Sequence, residues 1–112
     1  MAKRQTGTGI HRPVVVVMGA SRGIGLEIAK QFSSIGCQVC LSGRSKPGLE
    51  RAVKGIAALG GIAHSFPCDI TRPASIRSAT QRIRKQIGEI DVLVNNAGVT
   101  VFKSFLDTTP AE

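Results

Sequence analysis

Val14 to Met18 is five apolar residues without a polar break. A short, wholly apolar run of this kind fits a strand buried on both faces. The period then changes. Ile24, Ile28, Phe32 and Ile35 recur at helical spacing, with Glu27, Lys30 and Gln31 off the stripe. That predicts a helix from about Gly23 to Ile35, closed by Gly36. Gln38 to Ser42 reads as a second strand. Leu49, Val53 and Ile56 mark a second helix that ends at Gly60-Gly61. Ala63 to Pro67 reads as a third strand. A third helix is expected from Pro73 to Gln86, with Ile76, Ala79, Ile83 and Ile87 facing in and Pro73 in the first turn. Asp91 to Val94 is the fourth strand. Strands alternating with helices predict a parallel sheet with helical crossovers. With no further strand in view, the edge of the fourth strand is expected to be open, a template for docking. The last four residues, Thr109-Pro110-Ala111-Glu112, have the form of a capping box. The sequence therefore reads as stopping at the first turn of its next element.

Composition narrows the class. The chain has 112 residues, 42% hydrophobic and 20% charged, as expected of one soluble domain. No apolar run approaches the roughly 20 residues that span a membrane. Residues 1–12 carry Lys3, Arg4 and Arg12 and no apolar segment, so they read as a basic, disordered arm and not as a secretory leader. The first acidic residue is Glu27. That leaves a short mitochondrial presequence as the alternative to the cytoplasmic location that the lack of a secretory leader predicts. Three cysteines, an odd number, also fit a reducing compartment. Cys37-Gln-Val-Cys40 has CxxC spacing but enters a strand, where an offset of three turns the side chains to opposite faces. The pair is read as structural, with no metal site.

The net charge of +8 asks for an acidic partner. Arg72, Arg77, Arg82, Arg84 and Lys85 crowd the third helix, with no acid before Glu89. Nucleic acid is one possible partner. The four aromatics, all Phe, leave little for base stacking, so the run is read as a solvated face. A phosphate-rich cofactor is the better fit. Gly19, Gly23 and Gly25 stand between the first strand and the first helix. A strand turning tightly into a helix aims unpaired N–H groups at the turn. That end favours phosphate, and glycines let a pyrophosphate approach the backbone. The spacing is neither G-x-G-x-x-G nor a P-loop. At the end of the second strand, an acid would select NAD by bonding a ribose 2′-hydroxyl. This chain has Ser42-Gly43-Arg44 there. Arg44 suits a 2′-phosphate, and Arg22 adds a second charge, which favours NADP over NAD.

Gly19-Ala20-Ser21-Arg22-Gly23-Ile24-Gly25, Cys68-Asp69-Ile70 and Asn95-Asn96-Ala97-Gly98 resemble, in order and spacing, the short-chain dehydrogenase/reductase family. The likeness runs from about Pro13 to the end and is strongest to its 3-oxoacyl-carrier-protein reductase branch. It implies the N-terminal part of a doubly wound, Rossmann-like NAD(P)-binding domain over residues 13–112, truncated after the fourth strand. It implies that Gly19, Ser21, Arg22, Gly23, Ile24 and Gly25 surround the cofactor phosphates. Arg44 would bind the 2′-phosphate, and Asp69 and Ile70 would flank the adenine. Asn95, Ala97 and Gly98 would line the cleft. Asp69 has an alternative reading as a loop cap. The family usually has Thr where this chain has Met18, which puts the rigidity of the loop in question.

The family's chemistry resembles a Ser-Tyr-Lys arrangement, and this sequence contains no tyrosine. No catalytic residue is expected here. His64 reads as a strand residue, and His11, Asp107 and Glu112 do not replace the tyrosine. The first expectation is the cofactor half of an NADPH-dependent reductase of ketones or 3-oxoacyl substrates, inactive alone, whose parent is a homo-oligomer. The others are a non-catalytic short form that binds NADP or competes with the full-length protein for partners, and a basic nucleic-acid-binding module.

Overall fold

The computed structural model describes residues 12–95 and the backbone of 98–101. The arm before Arg12, His11, Ala97 and the capping box at Thr109 lie outside the described residues. The elements are β1 (Val14–Met18), α1 (Gly23–Ser34), β2 (Gln38–Ser42), α2 (Lys46–Ala58), β3 (Ile62–Ser65), α3 (Pro73–Gln86), β4 (Val92–Asn95) and β5 (Gly98–Val101). They form one sheet in the order β3-β2-β1-β4-β5. The first four strands are parallel, as the alternating pattern requires.

β1 is the middle strand and explains its own composition. All four valines are no more than 1% exposed. Val15 and Val17 face the layer of α1 and α2, with Val39, Leu41, Leu49 and Ile56. Val14, Val16 and Met18 face the layer of α3, with Cys40, Ala79 and Ile83. A strand covered on both faces has no polar position to offer. Each such side chain contributes on the order of 1.5–3 kcal/mol by leaving water. Asp91 holds the start of the sheet together. Its Oδ2 accepts from the Val14 N–H at 2.8 Å, and its own N–H donates to the Val14 carbonyl at 2.9 Å.

Four details differ from the sequence reading. β3 begins at Ile62 and ends at Ser65, because Pro67 has no N–H for a ladder. The Phe66 and Cys68 N–H groups still bond to the Leu41 and Gly43 carbonyls. β4 is shifted by one residue, since the Asp91 side chain is engaged with β1. Ile24 and Ile35 do not face the core: they are 80% and 74% exposed, and Ala29 is the buried contact of α1. Finally, the edge of β4 is not open. β5 runs back along it antiparallel, pairing Asn95 with Gly98 and Val92 with Val101. The unpaired N–H and C=O groups of β4 find partners in the residues that immediately follow.

Candidate functional site

The strand order reverses at β1. β2 and β3 lie on one side of it and β4 on the other. In a sheet of this kind a crevice opens at the carboxyl ends of the strands where the order reverses. The glycine turn sits there. Gly19 and Gly23 have φ of 78° and 66°, left-handed values that L side chains rarely adopt. Gly25 serves a different need: a Cβ built on it would collide with the Gly19 carbonyl oxygen. The turn is therefore folded against the first turn of α1, and no side chain separates them. Arg22 is the N-cap residue, with an extended backbone and no side-chain hydrogen bond to the helix. The first N–H groups of α1 are left to a ligand or to solvent. Ser21 is half-buried, while Arg22, Gly23 and Ile24 are exposed.

The end of β2 braces this turn. Ser42 is fully buried. Its carbonyl accepts from the Gly19 and Ala20 N–H groups at 2.7 and 3.1 Å. Its Oγ donates to the Phe66 carbonyl at 2.7 Å. Three strand ends are thus tied at one residue. Met18, where the resembling family has Thr, is buried among Val16, Cys40 and Phe66. Apolar packing and the Ser42 carbonyl anchor the turn. Arg44 follows β2 and is exposed. Ser45 caps α2, its Oγ accepting from the Gly48 N–H at 3.1 Å. A Cβ on Gly48 would lie 3.0 Å from the Ser21 Cβ, so the start of α2 is pressed against the glycine turn. Sequence reading passed over Ser42, Ser45 and Gly48. The Ser-Lys-Pro string of residues 45 to 47 was a usable signal for the cap.

Asp69 and Ile70 follow β3 on the same side. The Asp69 Oδ1 accepts from the Thr71 N–H at 3.0 Å and from the Thr71 Oγ1 at 2.6 Å. Its N–H donates to the Ser75 Oγ. This is the loop-cap arrangement. Those two Thr71 bonds hold the carboxyl below its ordinary pKa, and Arg44 and Arg72 add to the effect. Arg44 is therefore near enough to Asp69 for its charge to be felt there. Asn95 ends β4, and the Gly98 backbone lies opposite it.

Other titratable groups stand apart from this edge. Cys37 belongs to the α1 and α2 layer and Cys40 to the α3 layer, on opposite faces as the offset of three requires. Burial raises the Cys40 thiol to about 12. The His64 Nε2 lies 3.0 Å from the Gln38 Oε1 on the neighbouring strand, and burial lowers its pKa. Among the described residues no cluster of His, Cys, Asp or Glu suits a metal ion. No described helix is long and apolar enough to cross a membrane. A cavity of mixed lining, with Arg12 and Ser33 beside Ile56 and Leu59, lies at the opposite end of the strands, away from the turn.

Residues 13–112 match the family model for short chain dehydrogenases. The chain belongs to the short chain dehydrogenase family. Among curated relatives, the fatty acyl-CoA reductase of Acinetobacter baylyi is 40% identical over 88 residues, covering 79% of this chain and 30% of its own length. The ketoacyl reductase HetN of a Nostoc species is 34% identical, covering 94% of this chain and 37% of its own length. A variant of actinorhodin polyketide ketoreductase, solved with NADPH, superposes with a TM-score of 0.73 at 34% identity, over 76% of this chain and 33% of that one. The L-sorbose reductase of Gluconobacter frateurii, solved with NADPH and L-sorbose, gives 0.72 at 32% identity, over 83% and 36%. This dehydrogenase-family chain thus spans about a third of the length of these relatives.

Proposed function

We propose that this chain is the NADPH-binding part of a reductase that transfers hydride between NADP(H) and a ketone or 3-oxoacyl substrate. The observation that carries the reading is the glycine turn. It lies at the point where the strand order reverses, folded onto an uncapped helix start with no Cβ in the way. Gly19, Ser21, Arg22, Gly23, Ile24 and Gly25 hold the pyrophosphate and adenosine phosphates in this reading. Arg44 takes the 2′-phosphate, Asp69 and Ile70 border the adenine, and Asn95, Ala97 and Gly98 line the β4 side. The NADPH-bound relatives support the choice of cofactor. When bound, NADPH supplies the hydride. What these residues do is bind and orient it.

The chain contains no tyrosine. With no such proton donor, it binds the cofactor and does not turn over a ketone alone. The test is fluorescence titration of the purified chain with NADPH and NADH. NADPH should bind more tightly. Arg44→Ala should weaken NADPH by about 10- to 100-fold, the loss of a charge-assisted bond, and leave NADH nearly unchanged. Equal binding of both nucleotides, or an equal loss with both, would remove the NADP assignment. Carbonyl reduction by the purified chain would overturn its assignment as the non-catalytic part.

A further inference from the structure

The cavity at the amino-terminal ends of the strands has a chemistry of its own. Arg12 stands before β1, Gly36 stands before β2 and Ile62 begins β3, so three parallel strands start around it. The last turns of α1 and α2 close its sides. Gly61 is the seam between them, where a Cβ would strike the Ser33 Oγ and the Ile56 side chain. Two cations line the cavity, Arg12 and Lys30, and among the described residues no carboxylate does. No described residue forms an ion pair with either cation. The Asp91 carboxylate, whose charge is felt at Cys37 beside the cavity, is bonded to the Val14 N–H. Helix ends often use basic side chains to satisfy their last carbonyls. Here the chain's own N–H groups do so. The Phe32 and Ser33 carbonyls accept from Cys37 and Gly36, and the Ile56 and Ala57 carbonyls from Gly61 and Gly60. Arg12 spends one of its five donors on the Gly36 carbonyl, at 3.4 Å. Lys30 and the Ser33 hydroxyl, both half-buried, bond to no described side chain.

Beside these groups the lining is apolar, with Ile56 as its floor and Leu59 and Ile62 nearer the surface. Two cations and a hydroxyl next to apolar side chains suit a ligand with an anionic head and a short apolar body. Both helices bring their C-termini here, and each such end carries about half a negative charge. That weighs against a phosphate with two charges. It favours a carboxylate, which an arginine can meet with two parallel N–H bonds. Residues 1–11, which lead into Arg12, contain no acid, so the adjoining segment does not supply the anion. The volume is about 240 Å³. A dry cavity of about 150 Å³ holds benzene, which scales to a ligand of about ten non-hydrogen atoms here. We propose that this cavity binds a short- to medium-chain carboxylate, at a site distinct from the glycine turn at the other ends of the strands. The proposal does not depend on cofactor binding.

The test is calorimetric titration of the full chain with octanoate, which has about ten non-hydrogen atoms. One site should fill with a Kd of about 1 mM or tighter. Octanol, the same body without the charge, should bind at least about tenfold more weakly. Lys30→Met keeps the apolar stem and should weaken octanoate about tenfold, while Lys30→Arg keeps the binding. Lys54→Met, at an exposed position of α2 outside the cavity, should leave it unchanged. Far-UV circular dichroism should be the same for all three variants. Neither inorganic phosphate nor NADPH in excess should displace octanoate. No binding, octanol binding as tightly as octanoate, or indifference to Lys30→Met would overturn the site. Displacement by phosphate would overturn the carboxylate head, and displacement by NADPH would overturn the site by moving octanoate to the glycine turn.

Discussion

Gly25 and Gly55 make opposite demands on the same substitution. Gly25→Ala would push a methyl group into the Gly19 carbonyl and part the turn from the helix. The expected loss is about 1–3 kcal/mol in urea unfolding, as for other overpacked sites. Gly55 lies within α2, where a Cβ meets nothing within 4 Å. Gly55→Ala should stabilise the chain by about 0.5–1 kcal/mol in the same assay, through helix propensity. A stabilising Gly25→Ala would show that the close approach is not a constraint. Asp69 gives a pH-dependent case. Its folded pKa is depressed, first by Thr71 and then by Arg44 and Arg72. Its contribution is therefore complete above the ordinary value of 3.8 and is lost as pH falls through the lower folded value. Asp69→Ala should be less stable than wild type at neutral pH, and the gap should close in acid. A gap that persists below that range would mean that the Thr71 bonds do not depend on the charge.

At the scale of elements, β1, β2, α2 and α3 were legible because their patterns match their surroundings. Four valines suit a strand with helices on both faces, and Pro73 begins α3 where expected. α1 was legible as a helix but misleading as to its buried side. Ala29 is its fully buried contact, Leu26, Ile28 and Phe32 pack against the core beside it, and Gly25 closes on the turn. Small residues carry little weight in an apolar stripe. Ile24 and Ile35 carry much, yet both are exposed. β5 was not legible, because four residues opening on a glycine give too little pattern to mark a strand. In the candidate site, the glycine turn and Arg44 stood out by residue type. Ser42 did not, because a serine's importance lies in what its carbonyl and hydroxyl reach. Ser42→Ala leaves the buried Phe66 carbonyl without its donor. It should cost about 1–3 kcal/mol in thermal or urea unfolding, and cost more than Ser34→Ala on the exposed end of α1. Equal effects would remove Ser42 as the brace between strand ends.

The whole molecule joins two apolar layers through one central strand. The proposed ligand grips the turn after β1, next to the ends of β2 and β3. Binding there should stabilise the entire sheet. NADPH at 100 times its dissociation constant should add about 2.7 kcal/mol, with the melting midpoint rising as the concentration rises. A midpoint indifferent to NADPH would count against the cofactor reading as a whole.

The three buried thiols give this two-layer design a built-in clock. Cys37 sits under α1 and α2, while Cys40 and Cys68 sit under α3. Burial raises the pKa of Cys37, with Asp91 adding to it, and pushes Cys40 to about 12, so neither presents a ready thiolate in the closed fold. A thiol reagent must wait for a layer to lift. Mass-resolved labelling would then time each layer separately. If Cys37 reacts before Cys40 and Cys68, the α1 and α2 side peels first; if all three react together, the chain opens as a single unit.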